Sequence, residues 1–218
     1  MTPIGTITTT PAYEVALTSR AGLFIVLEGI SGSGKSTLAA LLADRLSGRH
    51  LHTVPAPISD LQPYINANAR PLVQLAFYLA GVLHASDLAR DGLQHGYVIA
   101  DRYLNSVIAN HAAVHQLVND TVTAVIAPFA DYLVLPDLTI YLHTSPTELA
   151  RRMHAKPDQT RSDHDLLSDP DLLQRLQNRY DQIAATDPTA RHLHTTGRSP
   201  AALADIIITM LPTVVVPA

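Results

Sequence analysis

Nine residues constrain this chain more than any other stretch: Gly29-Ile30-Ser31-Gly32-Ser33-Gly34-Lys35-Ser36-Thr37. The run fits G-x-x-x-x-G-K-[ST], a loop that wraps phosphate in backbone amides, and its flanks are those the loop requires. Ahead of it, Leu23-Phe24-Ile25-Val26-Leu27 is a short apolar run of the kind found in a strand buried on both faces. Behind it, residues 36–46 are rich in strong helix formers. Strand, glycine loop and helix in succession aim several N–H groups and the positive end of a helix at one point. That point attracts anions. Gly29, Gly32 and Gly34 permit positive φ and close approach of backbone to phosphate oxygens, with Ser31, Ser33 and Thr37 filling out the cradle. Lys35 is placed to reach the outer phosphates of a nucleoside triphosphate, and Ser36 to hold Mg²⁺. The chain has two lysines, Lys35 and Lys156, against thirteen arginines. A lysine at this position in an arginine-using chain marks a point-charge phosphate binder. The loop implies ATP with Mg²⁺ and leaves the receiver of the phosphate open.

At 218 residues the chain suffices for one α/β domain with a filled core. Its 47% hydrophobic and 16% charged residues are globular values. A net charge of −4 supplies no basic field, so nucleic acid is not an expected partner. The absence of cysteine excludes disulfides, thiolate zinc sites and thiol catalysis, in keeping with a cytoplasmic protein. Residues 1–20 are threonine-rich and read as an N-terminal extension rather than a secretory signal. The apolar run 206–211 stops at Pro212, far short of the ~20 residues a membrane-spanning helix needs, so no membrane partner is expected.

Short β-like runs alternate with longer helical ones along the rest of the chain. Strands are expected at 51–54, 97–100, 138–142 and near 192–194, besides the first. Helices are expected at 72–93, 104–118, 121–129, 147–153, 171–184 and 200–211. Pro55, Pro57 and Pro63 predict an irregular connection after the second strand, and the polar stretch 154–168 reads as a mobile loop, a lid. The pattern is that of a five-stranded parallel sheet with helices on both faces, a three-layer α/β sandwich. The domain runs over 21–212, with 213–218 as a tail.

A second constellation, Asp101-Arg102, follows a buried strand directly. In a doubly wound sheet the strand C-termini line the ligand crevice, so Asp101 can hold Mg²⁺ through water or accept a proton. Arg102 offers a fork that matches phosphate. Three segments in order, Glu28 through Thr37, Asp101-Arg102-Tyr103 with Ser106, and Pro136-Asp137-Leu138-Thr139-Ile140-Tyr141-Leu142, resemble the thymidylate kinases over roughly residues 22–211. The resemblance implies a P-loop fold and transfer of the γ-phosphoryl of MgATP to a nucleoside monophosphate. It places Arg151, Arg152 and Arg161 where lid arginines act, with Arg151 and Arg161 as the catalytic candidates beside Lys35, Asp101 and Arg102. Self-association into a homodimer stays open.

Departures from the family fall on one side. Its helical arginine, a clamp on the acceptor's phosphate, is replaced by Val82. Its Ser-x-Ala-Tyr-Gln after Ser106 is replaced by Val107-Ile108-Ala109-Asn110-His111, and its Arg-Glu-Pro-Gly after the second strand by Pro55-Ala56-Pro57-Ile58. Acceptor contacts are assigned to Glu28, Arg70, Tyr78, Arg102 and Ser106, although an aromatic on an apolar helix face such as Tyr78 is more often core, and Arg70 is equally suited to solvent. Eleven histidines form no recognised metal-ligand spacing. Thymidylate is the doubtful acceptor. Two other readings remain: a kinase for an unphosphorylated nucleoside or small alcohol, using Asp60 or Glu28 as base, and a non-catalytic nucleotide-binding protein.

Overall fold

The computed structural model describes residues 20–157 and 159–212. The expected extension, Arg20 apart, and the expected tail lie outside the described residues. Five parallel strands make the sheet: β1 (Phe24–Glu28), β2 (Arg49–His52), β3 (Val98–Asp101), β4 (Leu138–His143) and β5 (Ala190–His194). Their order is β2-β3-β1-β4-β5, so β1 is central and the loop after it leaves the middle of the sheet. Leu27 of β1 pairs with Asp101 on one side and Ile140 on the other, which brings the strand ends level at the same edge.

Successive strand residues alternate between two cores. Phe24, Val26, Val98 and Ala100 point to one face, packed by α3 (Pro71–Leu93), α4 (Leu104–Val114) and α5 (Asn119–Ile126). Ile25, Leu27, Ile99, Ile140 and Leu142 point to the other, covered by α1 (Lys35–Arg45) and α9 (Pro200–Thr209). A third cluster joins Ile30 and Tyr141 to Leu149, Met153, Leu166, Leu176 and Tyr180, under α6 (Pro146–His154), α7 (Arg161–Ser168) and α8 (Pro170–Ala184). The three-layer sandwich expected from the alternation is what forms.

Among the described helices, α3 is long and apolar enough to cross a bilayer, with a hydropathy of 1.4 over its window. The expectation built on 206–211 overlooked it. Leu75, Leu79, Val82, Ala85, Ala89 and Leu93 of α3 are core residues of the sandwich, which accounts for its apolar character.

Two connections differ from expectation. The proline-rich segment carries a 3₁₀ turn at Ile58–Leu61 and then α2 (Gln62–Asn68). Pro63 sits in the first turn of α2, where its missing N–H costs nothing. The stretch expected as a loop at 154–168 is half helix: Thr160 caps α7 in a reciprocal capping box with Asp163. Its polar composition reflects capping and an exposed face rather than lack of structure. At the sheet edge β2 begins at Arg49, two residues before the expected strand. Among the described residues it pairs only with β3, and its polar Arg49 and His50 break the apolar signal.

Candidate active site

The loop after β1 turns on three glycines in positive φ: Gly29 at 138°, Gly32 at 82° and Gly34 at 101°. A Cβ at Gly29 would lie 2.8 Å from the Leu142 carbonyl oxygen, and one at Gly32 would lie 2.7 Å from Met153 Cγ. Torsion and space both demand glycine there. Gly34 forms the N-cap of α1, and no side chain caps that helix among the described residues. The loop folds over its own lysine. Lys35 Nζ donates to the Ile30 carbonyl at 2.7 Å and to Ser33 Oγ at 3.3 Å. Burial, with the nearby Arg102 charge, pulls the Lys35 ammonium down to about 7 against the pull of Asp101 and Glu28. Ser36 and Thr37 are exposed in the first turn of α1.

Arg102 follows β3 in the left-handed region, at φ 70°, a conformation that costs of order 1–3 kcal/mol and persists only where the surroundings enforce it. They do. Its amide donates to Leu27 O at 3.0 Å. Its Nη1 donates to Gly29 O at 2.9 Å, Tyr180 Oη at 2.8 Å and Ser106 Oγ at 3.2 Å. The guanidinium is thereby anchored between the phosphate loop and α8 through one nitrogen.

Glu28, completely buried, accepts the amides of Tyr103 and Ser106 at 3.1 Å each, together with the Ser106 hydroxyl. Tyr103 is the N-cap of α4 and Ser106 its third residue, so a carboxylate from β1 caps α4. Burial raises the Glu28 carboxyl, against the hydrogen bonds and the Arg102 charge that favour its ionised form. With Glu28 accepting from Ser106 and Arg102 donating, the protons run Tyr180 to Ser106 to Glu28. Asn110 Nδ2 adds a bond to Tyr180 Oη at 3.2 Å. Glu28 and Ser106, expected to touch the acceptor, spend these bonds on the interior that holds Arg102.

The segment expected as a lid is latched to the loop by Asp163. This carboxylate accepts Ser31 Oγ at 2.5 Å, Lys156 Nζ at 2.9 Å, Thr160 N at 2.9 Å and Thr160 Oγ1 at 3.0 Å. Burial alone would raise its pKa. The bonds from Ser31, Thr160 and Lys156 outweigh that and hold it at about 2.

Of the arginines, Arg152 reaches the loop: Nη1 donates to Ser33 O at 3.3 Å and Thr195 Oγ1 at 3.2 Å, and Nε to Glu148 at 2.7 Å. Arg151, expected over the transferring group, lies 68% exposed and doubly bonded to Glu148. Arg161, at the start of α7, is exposed. On an amphipathic helix adjacent residues point apart, and two consecutive arginines could not be told from each other in the sequence.

Asp101 ends β3 buried, its Oδ1 without a hydrogen-bond partner among the described residues. Tyr78 is half-buried and donates to Asn66 Oδ1 at 2.9 Å, while Arg70 is exposed at the N-cap of α3. Val82 is buried in the α3 core and Val107 packs in the same cluster. His111 is half-buried against the His115 ring, 4.4 Å away. Tyr180, Asn110 and Asp163 were missed. Their partners come from other elements, and only the T-x-x-D box gave Asp163 a local signal.

A buried lysine in a glycine loop at the centre of a parallel sheet, with an arginine anchored beside it, defines a P-loop nucleotide kinase, a phosphotransferase. The thymidylate kinase family model matches residues 27–206. The chain is 31% identical over 195 residues to a probable thymidylate kinase of Methanocorpusculum labreanum, covering 85% of this chain and 95% of that one. It is 34% identical over 148 residues to the thymidylate kinase of Leifsonia xyli subsp. xyli, covering 62% and 70%. Among solved structures, thymidylate kinase from Candida albicans superposes with a TM-score of 0.71 at 21% identity, over 88% of this chain and 92% of that one. Thymidylate kinase from Ehrlichia chaffeensis gives 0.63 at 20%, over 88% and 99%. The chain belongs to the thymidylate kinase family, whose members transfer a phosphoryl group to a nucleoside monophosphate.

Proposed function

We propose that this chain transfers the γ-phosphoryl of MgATP to a nucleoside monophosphate other than thymidylate. The observation that carries the donor half is the loop itself, with Lys35 enclosed beneath it. In-line transfer asks the protein for positioning and charge rather than covalent chemistry. The loop amides and the open first turn of α1 bind the β- and γ-phosphates, and Lys35, released from Ile30 O, meets their charge. Ser36 and Asp101 are hard oxygen donors suited to Mg²⁺, and Asp101 Oδ1 has no hydrogen-bond partner among the described residues. Bound there, Mg²⁺ would offset charge on the β- and γ-oxygens. Arg102, held through Nη1, presents the rest of its fork to the acceptor's phosphate. Arg152 lies over the loop and stabilises charge on the transferring group, and α7 keeps water out when latched through Asp163.

The observation that favours a different acceptor is Val82. It is 0% exposed in apolar core, where the family resemblance expects a cation for the acceptor's phosphate. Turnover measured with a panel of nucleoside monophosphates and unphosphorylated nucleosides tests the reading. Transfer to at least one monophosphate other than thymidylate, and to no free nucleoside, is expected. Transfer to nucleosides alone would establish the rival kinase for an unphosphorylated alcohol.

A further inference from the structure

His50 and His52 occupy alternate positions on β2 and so share a face of the sheet. In the register of β2 against β3, His52 stands opposite Asp101. The two imidazole rings are 4.7 Å apart between centroids. One ring nitrogen from each and a carboxylate oxygen of Asp101 all lie within 4.8 Å of one another. His52 Nδ1 is 3.7 Å from Asp101 Oδ2, near the roughly 3.3 Å between two ligands bound at about 2.0–2.1 Å to a tetrahedral ion. An ion pair between His52 and Asp101 does not complete the cluster. His50 Nε2 and Asp101 Oδ1 are both buried with no hydrogen-bond partner among the described residues, and such atoms in a native fold ask for an explanation.

We propose that His50, His52 and Asp101 form a site for a divalent cation of the zinc class, beside the phosphate loop. Two imidazoles and a carboxylate are the ligand set that zinc, nickel or copper(II) takes, whereas Mg²⁺ selects oxygen donors. The His52 side chain is 60% exposed, which opens a path for the ion and for a water as fourth ligand. Asp101 belongs to both readings: a zinc-class ion here withdraws its carboxylate from the nucleotide's Mg²⁺. The binding itself requires neither ATP nor an acceptor, so it stands apart from the proposed reaction. A second group of rings, His143, His192 and His194 on β4 and β5, is the internal control. There His143 Nε2 and His192 Nδ1 already bond each other at 2.7 Å.

The test is calorimetric titration of Zn²⁺ into the chelator-treated, full-length chain without nucleotide. One tight equivalent per chain is expected. His50→Asn and His52→Asn should each weaken it by about tenfold or more, since even partners one shell out from a metal carry losses on that scale. His143→Asn with His192→Asn should leave it unchanged. If His50→Asn fails to fold, the more exposed His52→Asn carries the test. Co²⁺ in place of Zn²⁺ should give a visible absorption band in the wild type that His52→Asn abolishes. The proposal is overturned if the wild type binds no Zn²⁺, if His52→Asn binds it as tightly as the wild type, or if the equivalent disappears only with His143 and His192.

Discussion

The donor side and the acceptor side of this cleft are made from different material. The donor side is backbone: one contiguous loop whose φ angles and close approaches admit only glycine at Gly29 and Gly32. The side proposed for the acceptor rests on one side chain, Arg102 after β3. It is held in place by Ser106 of α4 and Tyr180 of α8, to which Glu28 of β1 and Asn110 of α4 are bonded in turn. A site made of backbone ties its chemistry to the fold and tolerates little change in sequence. A site that depends on converging side chains can be altered one residue at a time, which is the change proposed for Val82 on α3. Donor chemistry is thereby separable from the choice of acceptor.

The largest effect should come from the donor side. Lys35→Ala removes the charge that meets the transferring phosphates, worth on the order of 3–4 kcal/mol, so kcat should fall hundreds-fold or more. The melting temperature should hold or rise, because a buried ammonium whose pKa is pulled to about 7 opposes folding at and below neutral pH. Near-wild-type turnover in the folded variant would remove the donor half of the comparison.

Tyr180→Phe probes the other half. It deletes one anchor of Arg102 and leaves the guanidinium charged. A bond to a charged group is worth about 1.5–3 kcal/mol, so acceptor kcat/KM should fall roughly tenfold or more while ATP affinity stays within about twofold. Equal losses for both substrates in steady-state kinetics would show that the network serves both sides.

Asp163→Asn tests the latch between α7 and the loop. Loss of the charge-assisted bonds to Ser31 and Lys156 should speed amide exchange across α7 by about tenfold. In the wild type the sign of the pH dependence follows from a folded-state pKa of about 2, below the ordinary 3.8. The Asp163 contribution is complete above about pH 4 and lost as pH falls through 2. Added ATP and acceptor should protect α7 further, and equal protection with and without them would mean a static element.

The smallest effect sharpens the donor side. Free Lys35 titrates near 7, and phosphates bound beside it must raise that value toward the ordinary one. Nucleotide binding at pH 8 should therefore take up a proton, approaching one per chain, and affinity should decline as pH rises above 7. Calorimetry in two buffers of different ionisation enthalpy measures the uptake. No uptake would leave Lys35 already charged in the free protein.

How legible each part was follows from the same contrast. The loop, the parallel strands and the strand end carrying Asp101 and Arg102 are local patterns, and the sequence displays them whole. Tyr180 carries no such sign: on α8 it looks like any core aromatic until the fold brings Arg102 to its hydroxyl. Glu28 reads as a ligand by its place beside the loop, yet α4 consumes its carboxylate. Arg151 and Arg152 are neighbours in sequence and both bond Glu148, yet Arg151 stays at the surface while Arg152 reaches on to Ser33. The helix α7 was hidden because a capping box and a run of polar residues resemble a loop until Asp163 finds Ser31. The proposed cation site was illegible for a related reason: His50 and His52 lie on one strand, but Asp101 is on another.

The most direct test of the claim that the acceptor side has changed while the donor side has not is steady-state kinetics with thymidylate at saturating MgATP. Leaving one arginine–phosphate pair unmade costs about 2–5 kcal/mol. Val82 stands in apolar core, and the exposed Arg70 offers no fixed substitute. A kcat/KM for thymidylate well below about 10⁵ M⁻¹s⁻¹ is expected, with another monophosphate turned over faster. A value at or above about 10⁵ M⁻¹s⁻¹, ordinary for a working enzyme, would contradict it and make the acceptor side that of a thymidylate kinase in substance as well as in family.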